Sequence, residues 1–218
     1  MTSRSIILAA ALAGGSAVAQ EAAPGVPVVY DFEAAPSGAQ TVCTPGLTGE
    51  GGPVDWQIVE DPTAPSGTHV IAELSGDDTS YRFPLCLFDV TARNVEVSVW
   101  FKPISGEVDQ AAGLMARVQG PNDYYITRAN ALEGNVRFYT VVDGGRDQLE
   151  GEGLDIAAGQ WQKLGLRLQD EVATVLLNDQ VLFTEEDDTF AEAGAVGLWT
   201  KADSLTYFDD LTITPLPE

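Results

Sequence analysis

Histidine, cysteine and basic residues are all scarce in this chain of 218 residues. The only histidine, His69, is the one possible base for a Ser-His-Asp triad, and no Gly-x-Ser-x-Gly motif accompanies it. One histidine and two cysteines are also too few for the usual zinc sites, which take four ligands of these types. The sequence therefore gives no support to a serine hydrolase or a zinc enzyme.

Positive charge is rare as well, because 11 lysines and arginines stand against 33 aspartates and glutamates, for a net charge of −22. Such a surface repels phosphate backbones and anionic lipids, so we expect neither a nucleic-acid partner nor insertion into a membrane. We interpret the acidity as adaptation to a salty medium, where it keeps the protein soluble. Binding of divalent cations is the alternative, and it needs a specific cluster of acidic residues.

Long apolar runs are missing apart from one near the N terminus. Arg4 precedes this run, and Ala17-Val18-Ala19 stands directly before Gln20, which is the pattern of a signal peptide and its cleavage site. The run is too short to span a bilayer, and a buried N-terminal helix is the alternative. We expect an exported protein, either periplasmic or secreted. The chain then divides into a signal peptide at 1–19, a flexible lead-in at 20–27 and a single domain at 28–216.

The two cysteines, Cys43 and Cys86, form an even pair in a chain that is expected to be exported. In an oxidising compartment such a pair indicates a disulfide. Closing this loop would stabilise the fold by about 4 kcal/mol on the chain-entropy model. Two unreactive thiols are the alternative.

Helical patterns of ten or more residues are also absent, and apolar and polar residues alternate with a period of two. Residues 33–53, rich in Gly, Pro, Ser and Thr, indicate a long loop, and Asn178-Asp179 indicates a tight hairpin turn. About a dozen short strands in one domain predict an all-β fold, a two-sheet antiparallel jelly-roll sandwich. The predicted strands are 28–32, 55–60, 68–74, 80–83, 94–102, 111–118, 123–130, 135–142, 161–169, 172–177, 180–184, 194–200 and 205–214.

Because cations are so few, those within strand patterns are candidates for function. Guanidinium groups donate hydrogen bonds to sugar hydroxyls or to a carboxylate, and neighbouring aromatic rings offer stacking surfaces. Ion pairs with the abundant carboxylates are the alternative. The predicted ligand contacts are Arg82, Lys102, Arg117, Tyr125, Arg128, Asn130 and Lys201.

Four acidic residues could form a calcium site, because Asp31 and Glu33 lie near the first predicted strand and Asp209 and Asp210 lie in the last. First and last strands often pair in β-sandwiches, and Ca²⁺ accepts such oxygen ligands with loose geometry. Side chains that simply face solvent are the alternative.

A pair of catalytic carboxylates, as in jelly-roll glycosidases, is only partly present. Glu107 and Asp109 begin the Glu-x-Asp-x-x-Glu pattern of retaining glucanases, but Ala112 stands at the third acidic position. The sequence therefore lacks the complete motif.

Six segments of the chain form a recognisable series of motifs: 81–86 (YRFPLC), 97–103 (VSVWFKP), 109–114 (DQAAGL), 124–133 (YYITRANALE), 197–204 (GLWTKADS) and 207–211 (YFDDL). Together they resemble a bacterial exported family of concanavalin A-like, laminin-G-like jelly rolls close to the 3-keto-disaccharide hydrolase domain. The resemblance covers residues 28–214. It implies a two-sheet jelly roll associated with glycans.

This resemblance leaves three hypotheses for function. The first is a non-catalytic glycan-binding module. The second is a hydrolase or lyase of (3-keto-)glycosides, with Asp109 or Glu133 as base and Arg117 as electrostatic stabiliser. Gly113 and Arg117 match the Ser-Gly-Ile-x-x-Arg strand of those hydrolases, but Ala112 replaces its serine. The third is an envelope interaction protein without a sugar ligand. The oligomeric state stays open, with a monomer as the default expectation.

Overall fold

The computed structural model describes residues 6–7, 24–40 and 42–218. Apart from the backbone of Ile6–Ile7, the predicted signal peptide lies outside the described residues. The described part of the chain contains only β-strands and turns, so none of its segments is a helix that could cross a membrane. The strands are β1 (Ile6–Ile7), β2 (Val28–Tyr30), β3 (Thr44–Gly49), β4 (Trp56–Glu60), β5 (His69–Glu73), β6 (Arg82–Ala92), β7 (Val95–Ser105), β8 (Ala111–Gly120), β9 (Asp123–Asn130), β10 (Asn135–Val142), β11 (Gly145–Gly153), β12 (Gln162–Gln169), β13 (Val172–Leu177), β14 (Gln180–Glu186), β15 (Gly194–Trp199) and β16 (Leu205–Pro215).

These strands form two sheets, which confirms the predicted all-β sandwich. One sheet has seven strands in the order β11-β10-β9-β8-β15-β6-β3. The other has nine, in the order β1-β2-β16-β7-β12-β13-β14, with β5 beside β16 and β4 beside β5. Pairing is antiparallel throughout the described strands except between β1 and β2.

The main core lies between the two sheets. It consists of apolar side chains that alternate with polar ones along the strands. In β7, Val97, Val99 and Phe101 are fully buried, while Glu96, on the opposite face of the strand, is exposed. Leu114 of β8 belongs to the same cluster from the opposite sheet. Successive side chains of a strand point to opposite faces, so one face of each sheet can be apolar.

Besides the two-residue β1, two strands have no counterpart in the sequence prediction. β3 falls within the predicted loop 33–53, because its Pro45, Gly46 and Gly49 are typical of turns. It pairs with β6, which itself runs well past the predicted end at residue 83. β11 is an exposed strand at the edge of its sheet, and it lacks an alternating apolar face. Both segments are strands because their backbones pair with a neighbouring strand. The local sequence does not specify that pairing.

The predicted disulfide and hairpin turn are both present. Cys43 and Cys86 are bonded with a Cα–Cα distance of 5.4 Å, which ties the start of β3 to β6. Asn178 and Asp179 join β13 to β14 with φ angles of 51° and 62°. Two successive positive φ angles are characteristic of type I′ hairpin turns, where Asn and Asp are favoured.

Candidate functional site

The seven-stranded sheet buries apolar side chains on its outward face as well as its inward one. This second cluster is separate from the main core, and Trp199 at its centre is fully buried. The ring of Trp199 stacks on Phe83 with centroids 5.3 Å apart. The cluster consists of Phe83, Leu85, Ala111, Met115, Val118, Tyr124, Ile126, Tyr139, Val141 and Trp199.

This outward face is concave, because one edge of the sheet folds over it. The hydroxyl of Thr48 on β3 lies 2.9 Å from that of Tyr124 on β9, and it also donates to the carbonyl of Pro121. Tyr81 donates from its hydroxyl to the carbonyl of Gly144 across 3.3 Å. Strands β6, β15 and β8 separate β3 from β9 in the sheet order, so the sheet curls strongly to bring these groups together.

Arg146 of β11 covers the aromatic rings of this face. Its guanidinium lies 4.5 Å from the ring centroid of Tyr139, 5.0 Å from that of Phe83 and 5.8 Å from that of Trp199. Cation–π attraction stabilises such an arrangement. Burial nevertheless lowers the pKa of Arg146, and its buried Nη1 has no hydrogen-bond partner among the described residues.

Next to these rings lies a pair of opposite charges, Lys201 and Asp109. Lys201 donates to the Asp109 carboxylate, which is 1% exposed and accepts a second hydrogen bond of 2.5 Å from Asn130 Nδ2. The side-chain oxygen of Asn130 accepts from the backbone N–H groups of Leu132 and Glu133. Asn130 therefore links the ion pair to the turn between β9 and β10.

A second ion pair joins Arg128 to Glu133 in that turn. Arg128 Nη2 donates to Glu133 across 2.7 Å and to the Tyr139 hydroxyl across 3.2 Å, and Nη1 donates to Asn135 across 2.9 Å. Partial burial would raise the pKa of Glu133, but the hydrogen bond and charge of Arg128 outweigh it and lower that pKa. Arg128 Nε is buried and has no partner among the described residues.

Four cations thus share this face, and we call Arg128, Arg137, Arg146 and Lys201 the basic cluster. Arg137 is the direct cross-strand partner of Arg128 and is half-buried. The four account for a large share of the 11 basic residues of the chain. The concave face is therefore locally cationic on a strongly acidic protein.

A cleft of about 390 Å³ adjoins the covered edge of this face. Tyr81 forms one side of it and is 48% exposed, with its ring edge-on to Phe83 at 5.0 Å. The cleft is lined by Gly49, Glu50, Tyr81, Asn122, Asp143, Gly144 and Gly145. Phe83 in turn contacts Arg146, so a continuous path of contacts leads from Tyr81 to the basic cluster.

Five of the residues predicted for ligand binding or catalysis come together on this face: Asp109, Arg128, Asn130, Glu133 and Lys201. Arg146, Arg137 and Tyr139 also lie on this face, and the sequence did not predict them as site residues. The scarcity of cations was the available signal for both arginines. It was not applied to Arg146 because β11 lacks the alternation of a strand.

Two predicted ligand contacts lie elsewhere and serve as structural ion pairs. Arg82 is fully buried and donates to Glu73 across 3.0 Å. Lys102 pairs with Asp61 on the outer face of the nine-stranded sheet. Both cations match the alternative in which cations pair with carboxylates.

Arg117 and Tyr125 are also separate from the basic cluster. Arg117 has a φ of 50°, next to a register shift between Ala116 and Gly120, and burial lowers its pKa. Its guanidinium donates at 2.5–2.8 Å to the backbone carbonyls of Arg93, Asp170 and Phe190. Tyr125 stacks on Phe138 in the main core. Arg117 cannot stabilise a reacting group at Asp109 or Glu133, because it does not share their face.

The four acidic residues predicted for calcium do not converge. The Glu33 carboxylate instead accepts hydrogen bonds from the backbone N–H groups of Thr68 and His69 at 2.8 and 2.6 Å. Asp31 accepts from the N–H of Glu33 at 3.2 Å. These two acids therefore brace a loop.

The other two acids of that prediction bind Ser66. Asp209 is fully buried and accepts from the N–H of Ser66 at 3.0 Å, while the Ser66 hydroxyl donates to Asp210 at 2.9 Å. Among the described residues, no group of three or more His, Cys, Asp or Glu side chains could hold a metal ion. The loop backbone and Ser66 satisfy these carboxylates, so the described residues give the predicted calcium site no support.

No protein-family model and no curated protein matches the chain. Solved structures do match it. The chain has the jelly-roll fold of galectin-like and carbohydrate-binding domains. Carbohydrate-binding module CBM66 from Bacillus subtilis has a TM-score of 0.62 at 16% identity, covering 79% of this chain and 97% of its own.

Two further solved structures have the same fold. A Bacillus subtilis protein of unknown function with a galectin-like fold has a TM-score of 0.57 at 9% identity, covering 80% of this chain and 90% of its own. Domain 4 of the arabinanase AbnA from Geobacillus stearothermophilus, solved with arabinotriose, has a TM-score of 0.51 at 19% identity, covering 78% and 81%. At these identities the likeness establishes the fold alone.

Proposed function

We propose that this protein is a non-catalytic glycan-binding module whose ligand lies on the concave face of the seven-stranded sheet. The observation that carries the proposal is the path of contacts from exposed Tyr81, past Arg146, to Glu133 and Lys201. Along this path, rings and hydrogen-bonding groups are held in place by packing and by each other. Sugars are bound by such a combination of apolar ring faces and directional polar groups.

Two of the structural neighbours support a sugar ligand. One is named as a carbohydrate-binding module, and the other is an arabinanase domain in complex with arabinotriose. The contacts that we propose are Tyr81 at the cleft, Arg137 and Arg146 beside it, and Glu133 and Lys201 at the far end. Arg128 and Asn130 orient these groups from below, because both are almost fully buried.

The pKa of Glu133 and the burial of Asp109 favour a binding function over hydrolysis or elimination. A general base works best when its pKa lies near the working pH. The pKa of Glu133 is instead lowered, and Asp109 is buried beneath Lys201 and Asn130. The hydrolase hypothesis would need a base that neither residue supplies as placed.

Export is part of the proposal. The Cys43–Cys86 disulfide is the type of bond that persists in oxidising compartments. We propose that cleavage after Ala19 leaves a mature protein whose single domain spans residues 28–216 and acts as a monomer. Intact-mass measurement of the protein recovered from the cell envelope and medium tests this, and a mass that retains residues 1–19 would contradict it.

A glycan array tests the binding function directly. We expect the protein to bind a restricted set of glycans, and Tyr81→Ala to weaken that binding by about tenfold, since loss of a stacking ring costs about 1.4 kcal/mol. Tyr207→Ala is the matched control, because Tyr207 lies on the outer face of the other sheet beside Lys102. Equal losses in both variants, or no glycan bound by the parent protein, would contradict the proposed site.

A further inference from the structure

The concave face carries more positive charge than its own carboxylates neutralise. Lys201 is paired with Asp109, and Arg128 is paired with Glu133. Arg137 and Arg146 form no ion pair with any of the described residues. Two cations on this face therefore lack a counterion.

The surroundings of Arg137 and Arg146 are unfavourable for their positive charges. Arg137 stands directly opposite Arg128 on the neighbouring strand, and like charges in that position repel. Arg146 is stripped of part of its water by Phe83, Tyr139 and Trp199. An anion bound on this face beside these two arginines would relieve both the repulsion and the lost hydration.

Two buried nitrogen atoms that lack hydrogen-bond partners among the described residues also favour a bound anion. Arg128 is 1% exposed, and its Nε has no acceptor among the described residues, as is also true of Arg146 Nη1. Buried polar groups normally have hydrogen-bond partners, and an unmet donor is a costly exception. Guanidinium forks match the two oxygens of a carboxylate.

The net charge of −22 limits how anionic the ligand can be. A densely sulfated or phosphorylated polymer would meet repulsion over most of the surface. The rim cleft also carries two acidic side chains, Glu50 and Asp143. A single carboxylate directed at the basic cluster, with uncharged sugar at the cleft, avoids both repulsions.

We propose that the glycan recognised on this face is acidic, with the carboxylate of a uronic acid bound by Arg146 and Arg137. This inference rests on the proposed glycan-binding function and names its ligand class. It assigns the aromatic cleft to the neutral part of the sugar and the basic cluster to the acidic part.

Binding to matched acidic and neutral polysaccharides tests the inference. The probes carry isolated uronic acids on a neutral sugar chain: glucuronoxylan against xylan, and oligosaccharides with a single uronic acid against the same oligosaccharides with the uncharged sugar in its place. We expect at least one acidic member to bind about tenfold or more tightly than its neutral partner, and the difference to shrink as salt rises.

Arginine variants then assign the selectivity to the proposed residues. Arg146→Gln and Arg137→Gln are each expected to weaken binding of the acidic probe by about tenfold, because each removes a charge-assisted hydrogen bond. Arg167→Gln is the control, since it removes the same charge from the outer face of the other sheet. Thermal unfolding confirms that each variant is folded, and the half-buried Arg137 provides a second test if Arg146→Gln does not fold.

The outcomes separate the two proposals. Equal binding of acidic and neutral probes that is still lost in Tyr81→Ala would overturn the acidic ligand and leave the glycan-binding function standing. Acidic selectivity that survives in folded arginine variants would also overturn the inference. Failure of every acidic and neutral probe to bind would overturn both.

Discussion

Arg128 donates a 2.7 Å hydrogen bond from Nη2 to the carboxylate of Glu133, which lies in the turn directly after the strand that carries Arg128. The arginine is almost fully buried, whereas the glutamate side chain is 37% exposed. One exposed acid therefore balances a buried cation at the open end of the concave face.

Glu133→Gln is expected to reduce stability slightly and to strengthen binding of an acidic glycan. Because Glu133 is partly solvated, its loss should cost only about 1 kcal/mol of unfolding free energy. Without its charge, the basic cluster would attract a carboxylate severalfold more strongly. Urea unfolding and titration with the acidic probe measure the two effects. Glu192→Gln is the matched control. Weaker binding in Glu133→Gln would contradict the prediction, because the lost contact between Glu133 and the sugar would then outweigh the gain in positive charge.

Gly113→Ala is expected to disturb the concave face from beneath. A Cβ at this position would lie 2.6 Å from Ile126 Cδ1 and 3.0 Å from the Trp199 ring, so the ring would have to shift. Overpacking of this kind costs about 1–3 kcal/mol. Gly120→Ala controls for the substitution, because a Cβ there meets nothing within 4 Å. Tryptophan fluorescence and unfolding would contradict the prediction if both variants behaved alike.

Removal of the disulfide by Cys43→Ala with Cys86→Ala should lower the unfolding free energy by about 4 kcal/mol. The bond closes a loop of 43 residues and anchors the edge strand β3, so hydrogen exchange should rise first in Thr44–Gly49. The reduced parent protein is the control, since it keeps both sulfur atoms. Unchanged exchange in β3 would mean that pairing with β6 holds this strand without the bond.

Asp209 makes stability depend on pH near neutrality. Burial raises the pKa of Asp209 to about 7, the Ser66 N–H partly opposes this rise, and Asp210 adds to it. An unfolded aspartate has a pKa of about 3.9. Between roughly pH 4 and pH 7 the folded protein therefore holds a proton that the unfolded chain has lost, so this contribution to stability falls as pH rises.

Comparison with Asp209→Asn separates the contribution of Asp209 to the pH dependence of stability from that of the other carboxylates. Denaturant unfolding near pH 5 and pH 8 should show the parent protein losing stability relative to the variant at the higher pH. Parallel pH profiles for the two proteins would contradict the assignment to Asp209.

Much of the fold follows from local sequence. Alternation along segments such as 94–102 defines which side chains enter the core, because successive residues of a strand face opposite ways. Asn178 and Asp179 specify their own turn, and the even pair of cysteines predicted the disulfide that the structure contains. β3 and β11 escaped prediction because their partners, not their own residues, make them strands.

The candidate site follows from the sequence only in part. The scarcity of cations drew attention to Arg128 and Lys201, and both lie on the concave face. The same argument applied equally to Arg82, Lys102 and Arg117, which lie elsewhere. Alternation assigns a residue to one of two faces of a strand, but it does not specify which strands are neighbours.

The charge, the all-β class and the disulfide pairing therefore followed from the sequence alone. The tertiary structure decided which cations meet. The order β11-β10-β9-β8-β15 places Arg146, Arg137 and Arg128 on three adjacent strands. It also brings Trp199 to the second strand beyond Arg128, although Trp199 is distant from them in the chain. The positive φ of Arg117, at a register shift within β8, directs its side chain to backbone carbonyl groups elsewhere. These outcomes depend on long-range pairing and sheet curvature, which arise only when the whole sheet forms.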